Sequence, residues 1–290
     1  MKVILSRKGF DSSNGGCPSP ILPDGTLLSL PIPSDDRDSY DELVYEGKSY
    51  ADILKQLRPR RSYNHCHVDP DLRPNLRVTD VNGWAPAFGQ IDAAQGLLSN
   101  AGVGPGDLFL FFGWFRPVEN SVSGYRFRKK HEGDFYSWAD MHVIYGYMQV
   151  GAVLTDPCEI SKYAWHPHAS ASRLKNRTNA LYLPSDHLSL DSNMPGWGTL
   201  DFRNDRVLTM EGKNRGTWNP LSFFMPEHVY GNKKNSARNG GLYYSGIWQE
   251  LVIYESEGLS EWATKLLSTE NNPIATPVRM IVNEEGLKNG

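Results

Sequence analysis

Hydrophobic and polar positions alternate between two periods along this chain, and the periods predict its elements. Val3-Ile4-Leu5 is an apolar run too short for a helix, so residues 2–6 read as a strand. Residues 7–26, dense in Gly, Ser, Pro and Asn, read as loop. Leu27 to Ile32 reads as a short extended run closed by Pro33, and the polar, acidic residues 34–48 as an exposed connection. Ser49 suits a helix cap, with Tyr50, Ile53, Leu54 and Leu57 on one face and Pro59 as the stop. The proline-rich residues 58–88 predict irregular structure. Ile91, Ala94, Leu97 and Leu98 form the stripe of a second helix over 90–100, with Gly102 as its C′ glycine.

Gly104-Pro105-Gly106-Asp107 is a turn, and Leu108 to Phe115 is a continuous apolar run, the pattern of a buried strand. Residues 116–140 read as a charged loop. His142–Leu154 is a long strand that Gly146 and Gly151 bend or bulge. Shorter strands are expected at 179–183, 206–210 and 249–254, a last helix at 260–267, and a polar tail from Thr269 that docks loosely.

Strands and helices do not alternate regularly, which argues against a doubly wound parallel sheet. The expectation is an α+β fold: a mixed, largely antiparallel sheet or barrel-like core with flanking helices. Residues 104–154, pairing Gly106-Asp107-Leu108 with Gly146–Val150, are similar to the small barrels of the PUA and EVE type. With no internal repeat and no linker, the 290 residues read as one domain.

Composition narrows the class. The chain is 39% hydrophobic and 22% charged, which excludes disorder, and no apolar run approaches a membrane span. The N-terminal apolar stretch is too short for a signal peptide, and Cys17, Cys66 and Cys158 form no CxxC. The reading is a cytoplasmic protein with free thiols and no membrane partner. A net charge of −3 argues against a basic coat for nucleic acid. Local basic clusters remain at Arg126–His131 and Lys233–Arg238, either solvated loops or phosphate contacts. Aromatics reach 11%, which suits a core or a pocket for a flat ligand.

Three segments carry candidate chemistry. Ser6-Arg7-Lys8-Gly9-Phe10-Asp11-Ser12 leaves a strand for a glycine-rich loop. Arg7 and Lys8 suit a phosphate or carboxylate, Ser6 and Ser12 add hydroxyls, and Asp11 is a base, a metal ligand or a partner of Lys8. The loop lacks the Walker A and Rossmann spacings, so binding and purely structural roles both stay open. In an extended His65-Cys66-His67-Val68-Asp69-Pro70-Asp71, the residues His65, His67, Asp69 and Asp71 would project to one side, a row in which His67, Asp69 and Asp71 are the ligands expected for a divalent metal. The competing reading is a polar loop. His166-Pro167-His168 suits metal ligation, acid–base work or a structural pair. Gln90 reads as a base-edge contact or a helix cap. The G-x-S-x-G, H-E-x-x-H and zinc-deaminase patterns are absent.

The sequence resembles the nucleotide modification associated domain 3 family. The matching stretches are Ser6–Asp11, Pro18–Leu22, Ser29–Pro33, His67–Leu72, Gly89-Gln90, Gly104–Phe115, His142–Gly146 and Asn179–Tyr182. The resemblance implies work beside systems that modify DNA bases in bacteria and phages, and it brings no assigned catalytic residues. The expected function is an enzyme acting on a nucleotide or DNA base, alongside other base-modification enzymes. In it Lys8, Asp11, His166 and His168 handle protons, and Ser6, Arg7, Ser12, Gln90, Trp114 and Tyr145 bind substrate. His67, Asp69 and Asp71 hold a divalent metal. A non-catalytic reader of modified bases and a modification-sensing nuclease are the alternatives. The three candidate segments are expected to meet in one cleft.

Overall fold

In the computed structural model, residues 1–57, 62–129, 136, 139–224, 228–230, 236–238, 241–246 and 249–268 are described. The strands that matter to the site are β1 (Val3–Arg7), β2 (Ser19–Ile21), β3 (Ile32–Ser39), β4 (His65–His67), β5 (Phe88–Gln90) and β6 (Leu108–Ser121). They continue with β7 (Gly124–Phe127), β8 (Met141–Leu154), β9 (Ala180–Pro184), β10 (Trp197–Thr199), β11 (Val229–Tyr230) and β12 (Glu250–Ile253). The helices are α1 (Tyr50–Leu57), α2 (Asp92–Asn100), α3 (Pro157–Ile160), α4 (Ala171–Leu174) and α5 (Leu259–Leu267).

The main sheet runs β11-β12-β1-β6-β8-β9-β5, with β2 and β7 also paired to β6 and β10 to β8. β1 and β2 lie parallel to β6; the other pairs in this sheet are antiparallel. The fold is therefore the α+β class with a mixed, mostly antiparallel sheet. The predicted pairing of Gly106–Leu108 with Gly146–Val150 is present: Met148 faces Phe109 and the Gly106 N–H donates to the Val150 carbonyl at 2.8 Å.

The sheet curls until its ends meet. Phe88, on the edge strand β5, packs against Phe109 and Phe111 with ring centroids 4.9 and 5.1 Å apart. Beside it, Gln90 bonds Glu250 of β12. Ile4, Phe88, Phe109, Phe111, Met148 and Tyr182 fill the concave side, and α2 adds Leu98. Each such aromatic ring removed from water contributes about 1.5–3 kcal/mol. Leu5, Leu110, Phe112 and Trp218 belong to the opposite face, which α5 covers. Strand alternation thus divides β1: Ile4 and Ser6 face inward, and Leu5 and Arg7 outward.

Several elements depart from the sequence reading. Residues 34–48 are not a free connection, because β3 occupies Ile32–Ser39 and pairs with β4. Residues 116–140 are not all loop, because β6 runs on to Ser121 and forms a hairpin with β7. Val207 and Thr209 make only isolated bridges instead of a strand over 206–210. Gln90 ends a strand and α2 starts at Asp92. The tail from Thr269, Pro59, Lys130, His131, Lys233 and Lys234 lie outside the described residues. Among the described residues, no helix is long and apolar enough to cross a membrane.

Candidate metal centre

The strongest cluster of chemistry forms where β4, β5 and the turn before α4 meet. His67 closes β4 and Asp69 follows two residues later. His166 caps a single 3-10 turn, Pro167–Ala169, that carries His168. The ligand atoms of His67, Asp69 and His168 all lie within 4.8 Å of one another. Asp69 Oδ2 is 3.6 Å from His67 Nε2 and 4.0 Å from His168 Nε2. Donors sharing one ion at about 2.1 Å sit about 3.0–3.4 Å apart, so small side-chain adjustments close the set.

Hydrogen bonds fix which ring nitrogens are free. His67 Nδ1 lies 2.8 Å from Asp36 Oδ2. A carboxylate only accepts, so Nδ1 carries a proton, and Nε2 faces Asp69, where a metal would have to displace any proton that nitrogen shares with the carboxylate. Asn179 clamps His168 twice: its amide donates to the His168 carbonyl at 3.0 Å, and its Oδ1 faces His168 Nδ1 at 2.7 Å. That orientation again leaves Nε2 as the free donor atom. His166 is different. Its Nδ1 accepts the His168 backbone N–H at 3.2 Å, so the neutral ring carries its proton on Nε2. That nitrogen is buried, makes no hydrogen bond among the described residues, and stands 3.4 Å from Asp69 Oδ1, so its influence on the carboxylate is electrostatic.

The surroundings tune these groups. Burial opposes charge on Asp69, but its histidine neighbours outweigh it and hold the carboxyl well below the usual range. Burial lowers His67 while its bonds to Asp36 and Asp69 raise it, and the raising wins. Burial pushes His168 down to about 3, which keeps it neutral and available as a ligand. Arg173 grips both oxygens of Asp36, and Gly89 donates its N–H to Asp69 Oδ1 at 2.8 Å. Such outer partners set the orientation and basicity of metal ligands.

Asp71 is not part of this set. β4 ends at His67, so the alternation that would align Asp71 with Asp69 stops there. Asp71 instead turns to Arg77, 2.7 Å away, which also binds Asp38. His168 takes the place expected of Asp71.

The opening segment is split by strand alternation, so the three candidate segments do not form one cleft. Ser6, Lys8 and Gln90 all bond Glu250 Oε1, at 3.0, 3.2 and 2.6 Å. Lys8 also sits 4.4 Å from the Phe88 ring centre, one residue from Gly89. These residues stay on the concave side with Phe88, whereas His168 packs on the opposite face of β5, over Gly89. Tyr145 belongs to the concave cluster and lines a small cavity of about 40 Å³ with Asp69, Arg73 and Ser29. Arg7, Ser12 and Trp114 line a different cavity, on the outer face. Asp11 organises its own turn, accepting the N–H groups of Ser13 and Asn14 at 2.7 Å each.

Sequence reasoning missed Asp36, Arg173, Asn179 and Gly89 as site residues. The available signal was local for two of them, since Gly89 and Asn179 fall inside stretches that carry the family resemblance. No curated protein and no solved structure matches the chain. The family model described as nucleotide modification associated domain 3 matches residues 2–253, a span that holds every residue of this centre, and the chain belongs to that family.

Proposed function

We propose that the chain is a metal-dependent enzyme of a nucleotide-modification system. A divalent first-row metal is held by Nε2 of His67, Nε2 of His168 and Oδ2 of Asp69. One observation supports this above the rest: separate partners, Asp36 and Asn179, each lock an imidazole so that both free nitrogens face the same carboxylate oxygen. A pair of purely structural histidines has no need of that convergence. Two imidazoles and one carboxylate leave coordination positions open, as catalytic sites do and closed structural sites do not. A metal there activates a bound oxygen ligand or polarises a substrate oxygen. Asp36, Arg173, Asn179 and Gly89 hold the ligands in place, and His166 steadies Asp69. The family description supplies the substrate class, a nucleotide or a base in DNA.

The test has two arms. The purified protein is loaded with Fe(II), Mn(II), Co(II) or Zn(II), and bound metal is measured for wild type, Asp69→Asn and His168→Gln. Nucleosides from DNA of cells with and without the gene are compared by mass spectrometry. Stoichiometric metal that both variants lose, with a nucleoside that vanishes or stalls at an intermediate mass, is expected. Equal metal content in wild type and variants would sink the reading. An unchanged nucleoside profile, with binding to a modified duplex in chelator, would favour a reader instead.

A further inference from the structure

The outer face of the sheet carries a second cavity, of about 630 Å³, which none of the metal-centre residues lines. That volume is within the range that holds small ligands, about 300–1,000 Å³. Its wall is cationic: Arg7, Lys213 and Arg215 contribute to it, against Asp140. Arg7 has a single ion pair among the described residues, a loose one to Asp11 at 3.8 Å. The Arg215 guanidinium carbon lies over the Trp114 ring, 4.0 Å from its centre, and Arg215 donates to Ser12 Oγ at 2.8 Å. The opening loop is thus tied to the 213–216 turn across the cavity.

Two further donors in this wall are unsatisfied. Trp114 Nε1 and Ser245 Oγ are both buried and have no hydrogen-bond partner among the described residues. Unmade bonds of this kind cost free energy unless a partner arrives. Burial, and then the positive charges of Arg215 and Arg7, hold His142 neutral at the cavity floor, so it adds no competing cation. The cavity therefore offers guanidinium forks, an ammonium, an indole N–H and a hydroxyl, with a flat aromatic surface beside them. An acceptor-rich anion bearing a flat ring satisfies all of these at once.

We infer that this cavity binds a phosphorylated nucleoside unit. Arg215 and Arg7 hold the phosphate, and Tyr243, beside the Trp114 ring that Arg215 covers, receives the base. The unit comes from a free nucleotide or from a nucleotide within a single strand of DNA. The site is separate from the metal centre, so its ligand binds without metal.

Isothermal titration in EDTA tests this without leaning on the metal reading. The probes are the four deoxynucleoside 5′-monophosphates, the parent deoxynucleosides, inorganic phosphate and a short single-stranded oligodeoxynucleotide. Binding of a monophosphate identifies the free nucleotide as the source. Binding of the oligonucleotide alone identifies the polymer. In either case the deoxynucleoside and inorganic phosphate bind at least about tenfold more weakly, and Arg215→Gln loses about tenfold, the scale of one charge-assisted contact. Arg215 is partly buried, so the exposed Lys213→Gln is measured beside it and loses about threefold even if Arg215→Gln proves unfolded by its thermal melt. No binding by any probe, phosphate binding as tightly as the nucleotide, or affinities unchanged in the folded variants would overturn the assignment.

Discussion

A Cβ placed on Gly89 would lie 2.2 Å from the His168 imidazole, so the absence of a side chain on β5 is what lets that ring reach Asp69. Gly89 also donates its N–H to Asp69, so one backbone position sets two of the three ligands. Its φ is not in the left-handed region, and alanine is therefore compatible with the backbone. Gly89→Ala should keep the fold but push the His168 ring aside. The expected result is a loss of about 10–100-fold in metal affinity, the range seen when an outer partner is disturbed. Titration with Co(II), with far-UV circular dichroism as the control, checks it. Unchanged affinity in a folded variant would remove His168 from the ligand set.

Arg77 supports the same region from behind. Its guanidinium bonds Asp38 at 2.8 and 3.1 Å and Asp71 at 2.7 Å, and all three side chains are largely buried. Arg77→Met leaves two carboxylates without their cation. Breaking a buried pair in this way costs about 3–5 kcal/mol, read as a lower urea midpoint. Asp71→Asn should be milder and should retain full metal content, because Asp71 faces Arg77 and not the histidines. Metal lost specifically in a folded Asp71→Asn protein would restore Asp71 as a ligand.

How much of this was legible in the sequence depends on how local each signal is. The apolar run Leu108–Phe115 and the glycine-bent strand after His142 announce themselves by composition, and they pair as expected. Asp36 did not, because Asp35, Asp36 and Asp38 together look like a solvated turn. Its partners are what change the reading: Arg173 lies 137 positions on, and the register break between Pro33 and Asp38 turns the segment toward His67. The ligand row failed at Asp71 for a related reason. A period of two extends only as far as the strand, and β4 is three residues long. The opening motif shows the reverse, since strand periodicity alone could have separated Arg7 from Ser6 and Lys8.

His142 gives the fold an acid-sensitive point away from the metal ligands. Trp218 Nε1 donates to His142 Nδ1 at 3.0 Å, an interaction that needs an unprotonated acceptor. Burial, with Arg215 and Arg7 adding to it, holds His142 well below its ordinary 6.5 in the folded state. The unfolded chain takes up the proton near the ordinary value. The stabilisation is therefore complete above that value and is lost as pH falls below it. Between about pH 7.5 and about pH 5.5 this histidine should cost the native state on the order of 1 kcal/mol. His142→Asn keeps an acceptor for Trp218 and removes the titration. Urea midpoints of both proteins at the two pH values measure the difference, and parallel losses would show that His142 is not the source.

Glu250 closes the curl of the sheet, and Lys8 is its cation. Three donors from two parts of the chain, Ser6, Lys8 and Gln90, converge on its Oε1, and the fully buried Oε2 has no partner among the described residues. Lys8→Met would leave this carboxylate uncompensated in a low-dielectric interior, at a cost of about 3–5 kcal/mol. Adding Glu250→Gln removes the stranded charge, so the double variant should be more stable than Lys8→Met alone. That ordering distinguishes a closing ion pair from a lysine kept for proton transfer, whose loss would lower activity and leave the urea midpoint in place. Urea unfolding of wild type, both single variants and the double variant completes the cycle. A Lys8→Met midpoint equal to that of wild type would return Lys8 to the list of candidate acid–base groups.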